Sequence, residues 1–290
     1  MSRAEQEAVA AWTGRSGSVR SLIDRELRTR RARDRAGFTA VWSGFGAGCA
    51  VGSARWSTKR VAAAGSSASL GEFLRSLPAI ASLARYIRGL VTRRRAAPQD
   101  DLITALVRAE ESGDRLTEDE IVSMVILLLL AGYETTFHLI ATGALTLMQH
   151  PQQRLRMQET AELRESAIDE ILRYASPVEF STPRLTLEDV TLGLVTIPRG
   201  ELVAVSLGSA NHDELQFPDP ETFDVAREPN KHVAFGMGSH FCLGAALARL
   251  EGEIALTTLF RRLPGLHLAV PPDSLLAQEP CAARPRGTPC

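Results

Sequence analysis

From Leu70 onward the apolar residues return every three to four positions: Leu70, Phe73, Leu74 and Leu77, then Ile80, Leu83, Ile87 and Leu90 beyond Pro78. That is the period of one helix face. Arg93, Arg94 and Arg95, with Pro98 just after them, predict where the helix closes. A second amphipathic helix is predicted over 101–110, ended by Ser112-Gly113. Thr117-Glu118-Asp119-Glu120 then reads as a capping box, with Glu120 spaced to reach back to the Thr117 N–H. Apolar residues follow almost unbroken to Met148, and Pro151 ends the run. A helix of this length reaches about 45 Å. Being apolar on nearly every side, it is expected through the middle of a large domain.

Beyond Pro151 the pattern predicts two helices over 152–175, the second carrying Glu170 and Arg173 as an i, i+3 acid–base pair. On an exposed helix such a pair is common and contributes only a few tenths of a kcal/mol. The character then turns to short strands with turn residues between them: 184–187, a turn at Glu188-Asp189, 190–197, Pro198-Arg199-Gly200, and 202–205. A Pro- and acid-rich loop over 211–227 delivers the chain to Phe235-Gly236-Met237-Gly238-Ser239-His240-Phe241-Cys242-Leu243-Gly244. A helix over 245–263 and a strand at 266–268 are expected after it, then an irregular tail over 271–290.

Residues 1–67 follow no sustained period. Arginine dominates 25–35, which reads as a solvated helix or, less commonly for such composition, a nucleic-acid patch; 36–67 is rich in Gly, Ser and Ala and reads as loop or disorder. The net charge of -1 argues against nucleic acid or an anionic membrane as a partner. Four cysteines, Cys49, Cys242, Cys281 and Cys290, show no paired spacing, so a disulfide framework is not expected and a reducing cytosol is. No signal-peptide layout opens the sequence, and the apolar run 121–132 is too short to span a bilayer. A soluble, cytoplasmic protein is the expectation, with no membrane and no nucleic acid among its partners.

Two stretches carry candidate chemistry. Cys242 lies just ahead of a predicted helix, where unpaired N–H groups and the positive dipole end favour a thiolate, the form that binds metal. Glycines around it let the backbone turn tightly and approach a flat ligand. A lone Cys-x-Gly is nevertheless more often a small buried residue beside a turn. The second stretch is Ala131-Gly132-Tyr133-Glu134-Thr135-Thr136, at the centre of the long helix. Glycine costs about 1 kcal/mol against alanine there, and a buried carboxylate needs a partner. The alternatives are a satisfied polar kink and a notch for a ligand, with Thr135 and Glu134 handling protons.

Taken together these residues resemble the cytochrome P450 family, soluble bacterial branch. Phe235, Gly238, His240, Cys242 and Gly244 match its haem-binding loop; Ala131, Gly132, Glu134, Thr135 and Thr136 match its oxygen-activation notch. Glu170 and Arg173 match its Glu-x-x-Arg pair, and Arg227 falls where a second arginine completes that triad. The resemblance implies a mainly α fold with a small β region, a partial form of the family fold, with haem between the central helix and the helix after the Cys242 loop. It implies Cys242 as axial thiolate of haem b (iron protoporphyrin IX), with His240 and Arg184 pairing with the propionates. Glu170, Arg173 and Arg227 are implied as a buried network. Gly132, Glu134 and Thr135 are implied in dioxygen activation and proton delivery. The implied activity is a monooxygenase hydroxylating or epoxidising an apolar small molecule, in secondary metabolism. The implied electron source is NAD(P)H, through a ferredoxin reductase and a ferredoxin.

The chain is shorter than soluble members of that family usually are. The resemblance covers 68–270 as a haem domain and leaves 1–67 and 271–290 without a counterpart. The bias of those segments resembles the product of a shifted reading frame in GC-rich DNA; reading the gene in its other frames tests this. A truncated, inactive haem-binding remnant is therefore the alternative reading. A zinc protein using His232, His240 and Cys242 is disfavoured, because their spacing fits no usual zinc site.

Overall fold

The computed structural model describes residues 70–111 and 116–268. The expectations for 1–67, for the turn at Ser112-Gly113 and for 271–290 lie outside those residues. Seven α-helices are described: α1 (Leu70–Ala96), α2 (Leu102–Glu111), α3 (Glu118–Gln149), α4 (Pro151–Glu159), α5 (Leu163–Tyr174), the single turn α6 (Leu207–Ala210) and α7 (Ala245–Arg262). Four short strands lie between α5 and α6: β1 (Arg184–Leu185), β2 (Val190–Leu192), β3 (Val195–Ile197) and β4 (Leu202–Val203). The chain divides into two compact units inside α3, between Glu134 and Thr135.

In the unit containing α1, α2 and the first half of α3, the predicted faces form one core. Leu83, Ile87 and Val91 of α1 pack with Ile103 and Val107 of α2, and with Ile121 and Val125 of α3. Asp101 accepts from the Thr104 N–H at 2.8 Å, which caps the start of α2. It also takes the Arg94 guanidinium from the last turn of α1. The capping box at α3 is formed: Glu120 accepts from the Thr117 N–H at 2.7 Å, and Thr117 Oγ1 accepts from the Glu120 N–H at 3.3 Å.

In the other unit the second half of α3 packs with α4, α5 and α7. Leu139 and Leu147 of α3, Met157 of α4, Ile168 and Ile171 of α5, and Leu256 and Phe260 of α7 share its core. Two glycines set how closely these helices approach. A Cβ at Gly143 of α3 would lie 2.9 Å from Leu256 and 3.2 Å from Ile171; one at Gly252 of α7 would lie 3.1 Å from Leu139. Helix α7 is thus seated on α3 by the absence of two side chains.

Three expectations are corrected. First, α3 is not apolar-buried along its length: Leu127 is 61% exposed, Phe137 is 39% exposed, and only 18% of its most apolar window is buried. Its apolar stretch also outruns 121–132, and by length and composition alone it could cross a membrane. Residues toward each of its two ends join the cores just described. Second, 190–197 is a hairpin, not one strand: Val190 pairs with Ile197 and Leu192 with Val195. Gly193 takes φ 61° at the turn, a conformation open to glycine at no steric cost. β1 pairs antiparallel with β4, Arg184 opposite Val203. Third, 266–268 is not a strand; the Leu266 N–H closes a turn on the Leu263 carbonyl at 3.0 Å.

Candidate functional site

The Cys242 loop is closed by its own backbone. The Cys242 N–H donates to the Phe235 carbonyl at 3.0 Å, and Phe241 N–H to Gly238 at 3.0 Å. Gly236 and Gly238 take φ 71° and 80°, left-handed values that a Cβ would penalise. Gly244 is different: its φ is -87°, and a Cβ there would sit 3.9 Å from Cys242 Sγ. That is an ordinary van der Waals distance, so neither a left-handed backbone nor lack of space demands glycine at 244. α7 starts at Ala245, and the Ala245 N–H donates back to the Cys242 carbonyl at 3.2 Å. Cys242 is exposed, and Met237 (77% exposed), Phe241 (52%) and Leu243 (90%) present apolar surface around it. Cys242 is not the buried structural cysteine that a lone Cys-x-Gly would more often be.

Glu170 and Arg173 of α5 are both fully buried, at 0% exposure. Arg173 Nε donates to Glu170 Oε2 at 2.8 Å and Nη2 to Oε1 at 2.9 Å. Its remaining donors take the carbonyls of Asn211 (3.0 Å), Pro220 (2.9 Å) and Thr222 (3.2 Å). Arg227 Nε reaches Glu170 Oε1 at 3.2 Å, and the Asp224 N–H and Asn230 Nδ2 fill the carboxylate's other positions at 3.0 and 3.1 Å. The structure therefore brings Glu170, Arg173 and Arg227 together. A buried pair of this kind survives only when its remaining donors and acceptors are matched, and here they are.

On α3 the helix is continuous through 131–136. A Cβ at Gly132 would meet no atom within 4 Å, and Glu134 and Thr135 are both exposed. The expectation of a buried acid is corrected; a carboxylate facing solvent carries no desolvation penalty. At 100° per residue Gly132 and Thr135, three apart, share a side of the helix, whereas Glu134 turns away from Gly132. Arg184 lies on exposed β1 and His240 in the exposed turn Gly238–His240. Among the described residues no group of three His, Cys, Asp or Glu stands ready for a metal ion, and His232 is engaged by Asp169.

The family model for cytochrome P450 matches residues 70–162 and 153–273. The chain belongs to the cytochrome P450 family. It is 50% identical over 194 residues to cytochrome P450 107B1 of Saccharopolyspora erythraea, covering 67% of this chain and 48% of that protein. It is 45% identical over 192 residues to 6-deoxyerythronolide B hydroxylase of the same organism, covering 66% of this chain and 47% of that one. Among solved structures, the cytochrome P450 PksS of the Bacillus subtilis 168 bacillaene polyketide synthase superposes with a TM-score of 0.74 at 35% identity, covering 90% of this chain and 69% of that one. The cytochrome P450 chain spans about half the length of the curated relatives it matches.

The family implies a haem, and the residues present fit one. A flat, largely apolar group with one open axial position needs a single soft donor on an apolar, glycine-lined edge. Cys242 among Met237, Phe241 and Leu243 is such an edge. Three residues of this region were not singled out from the sequence. Asn211, fully buried, accepts from the Val233 N–H at 2.8 Å and donates to Ser176 Oγ at 2.8 Å. Asp169 and Arg249 form an ion pair at 2.7 Å. The acid just before Glu170, on the preceding helical bearing, was the available signal.

Proposed function

We propose that Cys242 is the axial ligand of a haem b and that the protein is a monooxygenase hydroxylating or epoxidising an apolar small molecule. The observation that carries this reading is the exposed Cys242 thiol on a loop closed by the Phe235–Cys242 hydrogen bond. When bound, a haem with a thiolate ligand supplies redox chemistry that favours cleavage of dioxygen. The chain's own residues do the rest. Phe235, Gly238 and Gly244 shape the loop. His240 and Arg184, exposed and without side-chain partners among the described residues, offer N–H donors to propionate carboxylates. Thr135 and Glu134 hold and pass protons on α3, and Gly132 leaves space on the side it shares with Thr135. Glu170, Arg173 and Arg227 fix the scaffold.

Electrons from NAD(P)H arrive through a ferredoxin reductase and a ferredoxin in this reading, in the cytoplasm. An apolar secondary metabolite as substrate is supported by relatives named 6-deoxyerythronolide B hydroxylase and mycinamicin IV hydroxylase/epoxidase. The second reading, a haem-binding remnant without turnover, is favoured by a specific observation. The chain spans about half the length of the curated relatives it matches, and a haem left open to water would divert reducing equivalents from substrate. The haem-loaded chain, given NADPH, a ferredoxin pair and a panel of macrolide precursors, separates the two. Oxidised product, with a peroxide share that rises several-fold in Thr135→Ala, supports the monooxygenase. Haem ligation with all electrons emerging as peroxide, in both proteins, selects the remnant.

A further inference from the structure

Asp169 precedes Glu170 on α5, and at 100° per residue it presents its carboxylate to a different neighbour. Asp169 Oδ1 accepts from Arg249 Nε at 2.7 Å and from His232 Nε2 at 3.2 Å. The other nitrogen of that ring, Nδ1, accepts from the Ala234 N–H at 3.2 Å. An accepting nitrogen carries no proton, so the hydrogen-bond pattern assigns the proton to Nε2, the one aimed at Asp169. His232 is nearly enclosed, its side chain 3% exposed. Burial alone would raise the Asp169 carboxyl, but the hydrogen bonds from His232 and Arg249 and the charge of Arg249 outweigh it and hold it below the ordinary carboxylate range.

Both groups that Asp169 holds lie against one ring. The Arg249 guanidinium carbon is 4.7 Å from the Phe235 centroid, and the His232 ring is 5.9 Å from it at a 51° tilt. Phe241 approaches from within the loop, edge-on at 6.2 Å. Phe235 is also the residue whose carbonyl receives the Cys242 N–H. Phe235 thus joins the contacts of His232 and Arg249 to the hydrogen bond that anchors Cys242. Arg249 over an aromatic face is attractive in its own right, and its guanidinium is kept there by the ion pair with Asp169.

We propose that Asp169 is a positioning residue for the Cys242 thiolate: its carboxylate holds His232 and Arg249 against Phe235, and Phe235 fixes the loop that presents the sulfur. α5 thus serves the site with two consecutive acids, Glu170 for the 218–230 segment and Asp169 for the 232–242 loop. This inference rests on the haem–thiolate reading of Cys242.

The test uses the full chain, with and without haem, as wild type, Asp169→Ala, Asp169→Asn and Arg156→Ala. Arg156→Ala removes an exposed ion pair with Asp224 in the same unit and serves as the control. Two readouts apply: the reduced, carbon-monoxide-treated Soret band, and amide exchange at Cys242 in the haem-free chain. For Asp169→Ala the expected result is conversion of most of the red-shifted band to the imidazole-like position. Its Cys242 exchange should be faster by about tenfold or more, the scale of a lost charged hydrogen bond, with unchanged helix content. Asp169→Asn, which keeps one acceptor oxygen, should fall between, and it carries the test if the alanine variant does not fold. Arg156→Ala should match wild type. A red-shifted band and slow exchange in both Asp169 variants would overturn the positioning role while leaving the haem–thiolate reading intact. An imidazole-like band in the wild type would overturn that reading, and the positioning of a thiolate with it.

Discussion

Replacing Arg173 by alanine removes the donor of five hydrogen bonds from a site with no exposure to water. Glu170 keeps Arg227, Asn230 and the Asp224 N–H, so its charge stays partly matched. The carbonyls of Asn211 and Pro220, however, lose the guanidinium in a region that Asn211 itself makes fully buried. Breaking a buried ion pair by deleting one partner costs about 3–5 kcal/mol. Against a total stability of about 5–15 kcal/mol that is a large fraction. For a unit of this size each kcal/mol moves the midpoint by about 2–4 °C, so a fall on the order of 10 °C is expected. Arg173→Lys keeps the charge but has only three donors on one nitrogen, and cannot span both Glu170 oxygens and three carbonyls. It should lose about half as much. Urea unfolding followed by far-UV circular dichroism, on the haem-free chain, measures both. A loss below about 1 kcal/mol for Arg173→Ala, or a lysine variant as stable as wild type, would refute the reasoning.

Two further outcomes follow from the packing and the charges. Gly143→Leu should destabilise by about 1–3 kcal/mol, because its first carbon already meets Leu256 at 2.9 Å and Ile171 at 3.2 Å; a neutral effect in the urea midpoint would show that α7 is not seated there. Asp101 is held below the ordinary carboxylate range: burial works against this, but the Thr104 N–H, Arg94 and the Thr104 hydroxyl together outweigh it. A depressed folded-state value contributes stability that is fully present above the unfolded value of about 3.9 and is lost as pH falls through the folded one. Stability should therefore decline below about pH 4, and Asp101→Asn should flatten that decline; an unchanged acid limb would contradict it.

The helices were legible because their signals are local. The capping box at Thr117 and Glu120 formed as spaced, and the apolar period over α1 ran through Pro78 as one helix. The Cys242 loop was legible because glycines at 236 and 238 sit at left-handed φ, a backbone need that only their residue type advertises. Glu170 and Arg173 were harder: i, i+3 spacing cannot distinguish a surface pair from one at 0% exposure. Their burial depends on carbonyls 38 to 49 residues downstream, which no local pattern encodes. Asp169 escaped notice for the same reason, since its partners lie 63 and 80 residues away. Hydropathy misjudged α3, because an apolar run says that a face wants cover without saying how much of it the described residues supply.

The central claim is that Cys242 holds haem iron as a thiolate. The most direct measurement is the optical spectrum of the haem-reconstituted full chain, reduced and exposed to carbon monoxide, beside that of Cys242→Ser. A strongly red-shifted Soret band in the wild type, absent from the serine variant, is the predicted result. A band at the imidazole-like position in the wild type, or a red-shifted band that survives Cys242→Ser, would contradict it.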